Sequence, residues 1–363
     1  MRKRALSRKT NSGKPRYMLS MGAAVASSHR NVVIITIRWI KSGTNDAKDT
    51  YWNSQIALKS EKIGGATMYD RILVPLDGSE LAEVSLPYAE EIAARLGSSI
   101  TLIYLSHSEK DPSYRMHKIY LDNVLDSTTK EIKKLLKGSP EEAKIESAIL
   151  VGHPAEEIVK HADKEDIGLI VIATHGRSGI KQWPMGSVAS KIITATRRPI
   201  MLIRVNEVVS PDIRDKGAIN KILLPLDGSK ESEAIIPHVK EMASNFNSEV
   251  VLFQTISLAY PTYTADAFAY VTYSDQQMDS MKASALDYLA KIGDDLSKKD
   301  IEVKSDVRFG PAADEIVNYA DEINTDLIAM TTRGHSGMGR WLFGSTTARV
   351  MKGGNTNLLL VKV

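Results

Sequence analysis

The sequence contains no cysteine, few aromatic residues and no long apolar run. The lack of cysteine excludes disulfide bonds, a thiol nucleophile and every metal site built on thiolate ligands. The apolar run nearest in length to a membrane span, Val32 to Ile37, ends at Arg38, far short of the roughly 20 residues that a membrane-spanning helix needs. A Walker-type motif and a His-Glu-x-x-His motif are also absent, so the usual sequence signals of a P-loop and of a zinc peptidase are missing.

What is present is the composition of a globular protein. The chain has 363 residues, of which 43% are apolar and 25% are charged. This length exceeds what one ordinary domain needs, and this apolar fraction allows substantial cores to form. We therefore expect two folded domains and no membrane association.

Charge is distributed unevenly along the chain. Residues 1–67 carry 13 lysines and arginines against three acidic residues, whereas residues 68–363 carry 34 basic residues against 41 acidic ones. A net negative charge on the longer part repels a phosphate backbone overall. We therefore expect no nucleic-acid binding by that part.

Residues 1–67 show no sustained helix or strand period. A secretory signal fits poorly, because Met18 to Val25 is interrupted by serine and glycine, and an organelle transit peptide fits the acid-poor composition better. The simplest interpretation is a disordered extension, or upstream sequence that is not part of the native protein. We expect the folded part to begin at Met68 and the protein to be cytoplasmic.

An internal repeat organises the rest of the chain. The stretch from Arg71 to Ser79 (Arg-Ile-Leu-Val-Pro-Leu-Asp-Gly-Ser) returns as Lys221 to Ser229, and Gly152 to Val159 returns as Gly310 to Val317. The offset grows from 150 to 158 residues, so the second copy carries eight extra residues. The repeat predicts two homologous domains and a linker, which we place at residues 68–206, 220–363 and 207–219, respectively.

Each copy alternates strands with helices. The predicted strands are 71–76, 100–105, 145–151, 168–173 and 200–205 in the first copy and 221–226, 249–255, 301–307, 326–331 and 357–362 in the second. Helices are predicted in the intervals, in the first copy near 80–96, 114–137, 154–165 and 187–196. This alternation predicts a parallel sheet with helices on both faces, and a ligand at the carboxyl ends of its strands.

Asp-Gly-Ser follows the first strand of each copy, at residues 77–79 and 227–229. One interpretation is a strand-to-helix turn in which serine caps the helix and glycine relieves the backbone. The other places Asp77 and Asp227 at the sheet edge, where a carboxylate accepts hydrogen bonds from a ribose or a base. The motif alone does not decide between them.

A glycine-rich loop that ends at a helix follows the fourth strand of each copy. Its fixed points are Gly176, Gly179, Gly186 and Ser187 in the first copy and Gly334, Gly337, Gly344 and Ser345 in the second, with positive charge from Arg177, Lys181, Arg333 and Arg340. Glycines let the backbone approach an anion, and a helix N-terminus presents N–H groups with partial positive charge. The alternative is a long turn in which these residues serve geometry and capping only. Its recurrence in both copies favours phosphate binding.

Histidines and carboxylates give no comparable signal. His175 precedes its loop glycine whereas His335 follows the glycine of the second loop, so the two do not occupy equivalent sites. A shared acid–base or metal-binding role is therefore not expected. We predict no catalytic residues and no metal site made by the chain itself.

These motifs resemble the universal stress protein family in its tandem two-domain form. The resemblance covers about residues 68–205 and 220–363, and it is carried by the opening Ile-Leu-Val-Pro-Leu-Asp-Gly-Ser and by the two loops. The nucleotide-binding branch of the family has Gly-x-x-Gly-(nine residues)-Gly-Ser/Thr. The first glycine of that pattern is Ala173 in one copy and Thr331 in the other.

The resemblance implies a flavodoxin-like, Rossmann-like α/β fold for each copy, with five parallel strands in the order 3-2-1-4-5. It also implies ATP or another adenine nucleotide as ligand, with or without Mg²⁺, with its phosphates on the loop and the aspartate near the nucleoside. Family members are generally not established as enzymes. We therefore expect an ATP-binding stress-response protein; a scaffold that has lost nucleotide binding is the alternative, and a slow ATP hydrolase is a third.

The last strands of the two copies are predicted to pair with each other. In the order 3-2-1-4-5 the last strand lies at the sheet edge, and a strand as apolar as Leu358 to Val361 needs a cover. The short tether raises the effective concentration of one copy near the other to the order of millimolar, which favours pairing within the chain. A homodimer is the alternative.

Overall fold

The computed structural model describes residues 67–108, 110–136, 144–176, 185–205, 217–258, 273–334 and 343–363, together with the course of five further short strands. The chain divides into two compact units, Met1–Ala66 and Thr67–Val363. In the described ranges, none of the helices has both the length and the apolar character needed to cross a membrane.

The smaller unit contains three strands where the sequence predicted no regular structure. They are β1 (Tyr17–Ser20), β2 (Val32–Lys41) and β3 (Asn53–Lys59), and they form an antiparallel sheet in the order β1-β2-β3. The β2 sequence begins Val-Val-Ile-Ile-Thr-Ile, and β-branched residues of this kind favour strands. The sequence analysis weighed this run only as a membrane span and missed its strand propensity.

The larger unit contains both copies of the repeat. The first half consists of β4 (Arg71–Leu76), α1 (Glu80–Glu83), α2 (Leu86–Leu96), β5 (Ser99–Ser106), α3 (Tyr114–Leu136), β6 (Ile145–Val151), α4 (Pro154–Lys164), β7 (Leu169–Ala173), α5 (Ser187–Ala195) and β8 (Ile200–Ile203). The second half consists of β9 (Lys221–Pro225), α6 (Lys230–Glu233), α7 (Ile236–Phe246), β10 (Glu249–Ile256), β11 (Thr262–Thr264), β12 (Ala267–Ala269), α8 (Asp275–Ser297), β13 (Val303–Phe309), α9 (Ala312–Glu322), β14 (Leu327–Thr331), α10 (Ser345–Gly353) and β15 (Asn357–Val361).

The predicted elements are found within two residues of their expected ends, with one exception. The single helix expected over 80–96 is two helices, α1 and α2, because Pro87 stands in the first turn of α2. Proline has no N–H to donate and fits only the first turn of a helix, so one continuous helix cannot run through this position.

The inner strands are buried on both faces because helices cover both sides of the sheet, whereas the edge strands β6 and β13 are only partly buried. Neighbouring residues Ile72 and Leu73 of β4 are both fully buried, and they belong to two different hydrophobic clusters, one on each face. Successive strand residues point to opposite faces, so a strand covered on both sides reads as a continuous apolar run. This is why the sequence predicted these strands well.

Strand order within each half is 3-2-1-4-5, as expected. The first half runs β6-β5-β4-β7-β8 and the second runs β13-β10-β9-β14-β15, with parallel pairing throughout each half. Between β4 and β7 only Ile72 and Leu73 pair with the neighbouring strand. The two strands therefore separate toward their carboxyl ends, and the order reverses at this point, where ligands of doubly wound sheets bind.

The two halves join through their last strands. β8 and β15 pair antiparallel, with Leu358 opposite Leu202 and Leu360 opposite Ile200, and this makes one sheet of ten strands. The prediction that the last strands pair within the chain is confirmed. Because the junction is antiparallel, the carboxyl ends of the strands of the two halves lie at opposite edges of the sheet.

A reciprocal pair of hydrogen bonds reinforces this junction. The backbone N–H of Met68, just before β4, donates to Glu241 on α7 (3.0 Å to Oε1). At the equivalent place in the repeat, the N–H of Ala218, just before β9, donates to Glu91 on α2 (2.6 Å to Oε2). Each half therefore holds the start of the first strand of the other half. Ala218 and Ile219, at the end of the predicted linker, are themselves buried.

Candidate functional site

An oriented aspartate stands at the carboxyl end of the first strand in the first half. Asp77 follows β4, and Gly78 has a φ of 81°, a left-handed conformation that glycine adopts without strain. Ser79 caps α1 by accepting from the N–H of Ala82, and its own N–H and hydroxyl both donate to Asp77 Oδ1, at 3.0 and 2.6 Å. One carboxylate oxygen is thereby fixed in position.

The second half repeats this arrangement. Gly228 has a φ of 82°, and Ser229 caps α6 by accepting from the N–H of Ser232. The N–H and hydroxyl of Ser229 donate to Asp227 Oδ1 at 3.0 and 2.5 Å. The geometry shows that the serine caps a helix and that the aspartate lies at the carboxyl end of its strand. Acceptance of hydrogen bonds from a nucleoside by this carboxylate stays a prediction.

The loop glycines lie directly against these aspartates. A Cβ built on Gly176 would overlap Oδ2 of Asp77, and a Cβ built on Gly334 would overlap Oδ2 of Asp227. Only glycine lets the backbone come this close to the carboxylate. The strand-one motif and the strand-four motif, about 100 residues apart in sequence, thus form one site in each half.

The far end of each loop is the N-terminus of a helix without a side-chain cap. Gly186 is the N-cap of α5 and Gly344 is the N-cap of α10, and neither helix has a capping side chain. The N–H of Gly186 donates to the carbonyl of Thr174 (2.7 Å), and that of Gly344 to the carbonyl of Thr332 (2.8 Å). Ser187 and Ser345 are the first helical residues. The first N–H groups of a helix have no partner within the helix and attract anions.

A cavity of about 370 Å³ connects these groups in the first half. Its lining brings together four predicted residues, Asp77, Gly176, Gly186 and Ser187. Five further predicted residues of the loops lie outside the described residues: Arg177, Gly179, Lys181, Gly337 and Arg340.

The cavity also has lining residues that the sequence analysis missed. They come from the end of β5 and the start of α3 and include Tyr104, Ser106, His107, Asp111, Ser113 and His117. The rings of Tyr104 and His117 stack with their centroids 4.3 Å apart. The position of Tyr104 and His107 near the carboxyl end of the neighbouring strand was the available signal, since all strand ends of a half meet at one edge.

A tyrosine–glutamate hydrogen bond braces each site. The Tyr120 hydroxyl donates to Glu83 (2.8 Å), and the Tyr288 hydroxyl donates to Glu233 (3.0 Å). Burial and the neighbouring carboxylate raise the pKa of both phenols well above the ordinary value. Both tyrosines therefore stay protonated at physiological pH and hold the short helix after the aspartate.

The two sites differ just before the loop glycines. Ala173 stands at the end of β7, and Thr331 occupies the equivalent place at the end of β14. The Thr331 hydroxyl donates to the carbonyl of Arg333, and the Thr331 carbonyl accepts from the hydroxyl of Thr347 (3.0 Å).

Among the described residues, no group of histidines and carboxylates has the arrangement of a metal site.

Fold and site together define a tandem of two flavodoxin-like α/β domains, each with an aspartate and a glycine-rich loop at the carboxyl edge of its sheet. A sequence model of the universal stress protein family matches residues 68–204 and again residues 218–362. The chain belongs to the universal stress protein family, and it carries two copies of the family domain.

Individual relatives agree with this assignment. The chain is 23% identical over 305 residues to universal stress protein Slr1230 of Synechocystis, a match that covers 77% of this chain and 96% of that protein. It is 26% identical over 148 residues to universal stress protein YxiE of Bacillus subtilis, covering 38% of this chain and all of that protein. Its structure is similar to that of a universal stress protein from Archaeoglobus fulgidus, with a TM-score of 0.58 at 18% identity, covering 82% and 99% of the two chains.

Proposed function

We propose that the chain is an adenine-nucleotide-binding universal stress protein that takes one or two ATP molecules. The observation that supports this most is the cavity of the first half, which places the Asp77 carboxylate, the backbone of Gly176 and the uncapped N-terminus of α5 around one space. A carboxylate at one end suits hydroxyl and amino donors of a nucleoside, and uncapped helix N–H groups at the other suit phosphates.

Each predicted residue has a definite part in this proposal. In the first half, Asp77 faces the nucleoside, Gly176 and Gly179 bring the loop backbone close, and Gly186 and Ser187 bind phosphate. In the second half the corresponding residues are Asp227, Gly334, Gly337, Gly344 and Ser345. Mg²⁺ enters only as the companion ion of the phosphates.

Calorimetric titration with ATP tests the proposal, and Gly344→Asp is the diagnostic variant. The added carboxylate places negative charge at the helix N-terminus where phosphate approaches, so the site of the second half should be lost. Gly344→Ala is the matched control, because a Cβ there would lie 3.7 Å from the Thr332 carbonyl oxygen, an ordinary contact. We expect ATP binding by Gly344→Ala at wild-type stoichiometry and a lower stoichiometry for Gly344→Asp.

A second variant extends the test to the first half. Gly176→Ala forces the Asp77 carboxylate out of its position, because the new methyl group overlaps Oδ2. Combined with Gly344→Asp, it should abolish ATP binding. Wild-type protein that binds no ATP at millimolar concentration would contradict the proposal.

A stress-response scaffold without nucleotide is the second candidate. Ala173 and Thr331 stand where the nucleotide-binding pattern has glycine, and both are almost fully buried, so their side chains occupy space beside the loop. The same titration separates the two functions, since a scaffold of this kind gives no heat of binding. Release of labelled phosphate from ATP would instead indicate slow hydrolysis.

A further inference from the structure

Three cationic residues follow one another along the sheet edge where the strands of the second half end. Arg333 follows β14, and Lys362 follows β15. The third, Arg197, belongs to the first half and precedes β8. All three occupy the edge that also holds Asp227 and the N-terminus of α10.

Arg197 reaches this edge because the junction is antiparallel. Leu360 lies opposite Ile200 in the β8–β15 register, so the register continues from Lys362 to Arg198, with Arg197 one residue further on. The N-terminal end of β8, in the first half, is thereby placed beside the C-terminal end of β15, in the second half.

Lys362 is held at the centre of the group. Its Nζ donates to the carbonyl of Thr194, in the last turn of α5, at 2.9 Å. Burial lowers the pKa of Lys362, and the nearby positive charges of Arg197 and Arg333 lower it further. Lys362 therefore lies within electrostatic reach of both arginines, as expected from the position of β15 between β14 and β8.

No acidic side chain of the described residues forms an ion pair with Arg197, Arg333 or Lys362. Asp163, which lines a cavity together with Arg197, is paired with Arg198 at 3.2 Å, and Arg198 also pairs with Asp166 at 2.6 Å. Like charges brought together without a counter-ion destabilise the protein by themselves. A bound polyanion removes that repulsion, so the group has the charge pattern of a phosphate-chain site.

The opposite edge has no equivalent contribution from the junction. The repeat places Arg204 at the position of Lys362 and the uncharged Asn355 at the position of Arg197. The guanidinium of Arg204 is directed into the fold, where it donates to the carbonyls of Val350 and Thr356 (3.2 and 3.3 Å). Burial lowers the pKa of Arg204 to about 10. The junction thus adds one cation, Arg197, to the edge of the second half, and no cation at the equivalent place on the opposite edge.

We propose that Arg197 and Lys362 join Arg333 in binding the terminal phosphates of the ligand of the second half, so that the first half completes this site. The inference rests on the proposed function, and it adds a specificity: the site of the second half prefers a di- or triphosphate chain to a monophosphate. The chemistry recognised is a phosphate chain, which a nucleotide or free inorganic polyphosphate supplies.

The test is calorimetric titration of the full chain in the Gly176→Ala background, which leaves the second site to be read alone. Arg197→Gln should weaken ATP binding about tenfold, the cost of one charge-assisted hydrogen bond, and leave adenosine binding unchanged. Lys362→Gln should act in the same direction. Lys299→Gln, at an exposed lysine after α8, changes net charge equally and should change nothing.

Titration with inorganic triphosphate separates this inference from the proposed function. If ATP binds the Gly176→Ala protein equally with and without Arg197→Gln, or if adenosine weakens as much as ATP, the inference is wrong and nucleotide binding stands. If ATP does not bind but triphosphate does, and more weakly in Arg197→Gln, the inference stands and the proposed function is wrong. If neither ligand binds wild type, both are wrong.

Discussion

The two sides of the junction use the same hydrogen bond in different electrostatic surroundings. Glu91 accepts from the Ala218 N–H and also pairs with Arg95, whose Nε lies 2.8 Å from Oε1. Glu241 accepts from the Met68 N–H, but the residue equivalent to Arg95 is Asn245. Among the described residues, no cation pairs with Glu241.

This difference shows that the repeat preserves geometry more strictly than charge. The buried N–H of Ala218 needs an acceptor because it has lost water as a partner, whereas Met68 is exposed and its N–H makes the same bond in reach of solvent. The counter-ion is a separate matter. Burial raises the pKa of the Glu241 carboxyl, which has only hydrogen-bond donors to stabilise its charge.

The largest loss of stability is expected from a substitution that weakens the β8–β15 junction between the two halves. Leu359 is fully buried in β15 opposite Met201, so Leu359→Ala should lower the free energy of unfolding by about 2–5 kcal/mol. It should also speed native-state hydrogen exchange in β8, which belongs to the other half. Leu252→Ala, an equally buried leucine in β10, is the control. Unchanged protection of β8 in Leu359→Ala would refute the prediction.

The next largest effect is a difference in stability between variants of the two carboxylates, Glu91 and Glu241. Glu91→Gln removes the carboxylate partner of Arg95 and should cost about 1–2 kcal/mol at pH 7, a value reduced because Arg95 is partly exposed and solvent screens its charge. Glu241→Gln keeps an acceptor for Met68 and removes a half-buried charge that has no counter-ion among the described residues, so its stability should stay within about 0.5 kcal/mol of wild type. Chemical denaturation of both variants measures the difference, and equal losses would contradict it.

A smaller effect should appear in the pH dependence of stability through Glu241. Since burial raises the pKa of this carboxyl in the folded state, its contribution is fully present below about pH 4.5 and is lost as pH rises through the folded-state pKa. The free energy of unfolding of wild type should therefore fall relative to Glu241→Gln as pH rises from 4 to 7. A constant difference across that range would show that Glu241 does not titrate abnormally.

The smallest effect on the pH dependence of stability is expected from His238, and its sign is opposite to that of Glu241. The Tyr69 hydroxyl lies 2.8 Å from Nδ1 of His238, and burial lowers the pKa of the imidazole. The contribution of a histidine with a lowered pKa is present above about pH 6.5 and is lost as pH falls through the folded-state pKa. Wild type should lose stability relative to His238→Gln on acidification.

The equivalent position on the other side of the junction supplies the control for His238. It is Tyr88, whose hydroxyl accepts from the Asn357 amide at 2.9 Å and whose pKa burial raises. Tyr88→Phe should therefore leave the change in the free energy of unfolding between pH 5 and 7 as it is in wild type. If the free energy of unfolding depends on pH in the same way in wild type and His238→Gln, His238 does not contribute to the pH dependence.

How far the sequence predicted the structure depends on how local each signal is. The inner strands were predicted because burial on both faces makes each one an apolar run, as in Ile72 and Leu73. The edge strands β6 and β13 are only partly buried and have weaker apolar patterns. The aspartate and the loop glycines were predicted because they recur at fixed offsets and because strand ends of a doubly wound sheet meet at one edge.

Features that depend on tertiary packing were not predictable in this way. The stack of Tyr104 on His117 joins the end of a strand to a helix, and no periodic pattern connects the two residues. The position of Arg197 beside the site of the second half depends on the β8–β15 register, which requires the antiparallel junction to be known first. The same holds for the bond between Met68 and Glu241, which spans 173 residues.

The antiparallel pairing of β8 and β15 has a consequence for the directions from which other molecules can approach the loops of the two halves. The loops of the first half leave one edge of the ten-stranded sheet, and those of the second half leave the opposite edge. Two macromolecules that each recognised one loop would approach from opposite sides and would not compete for space.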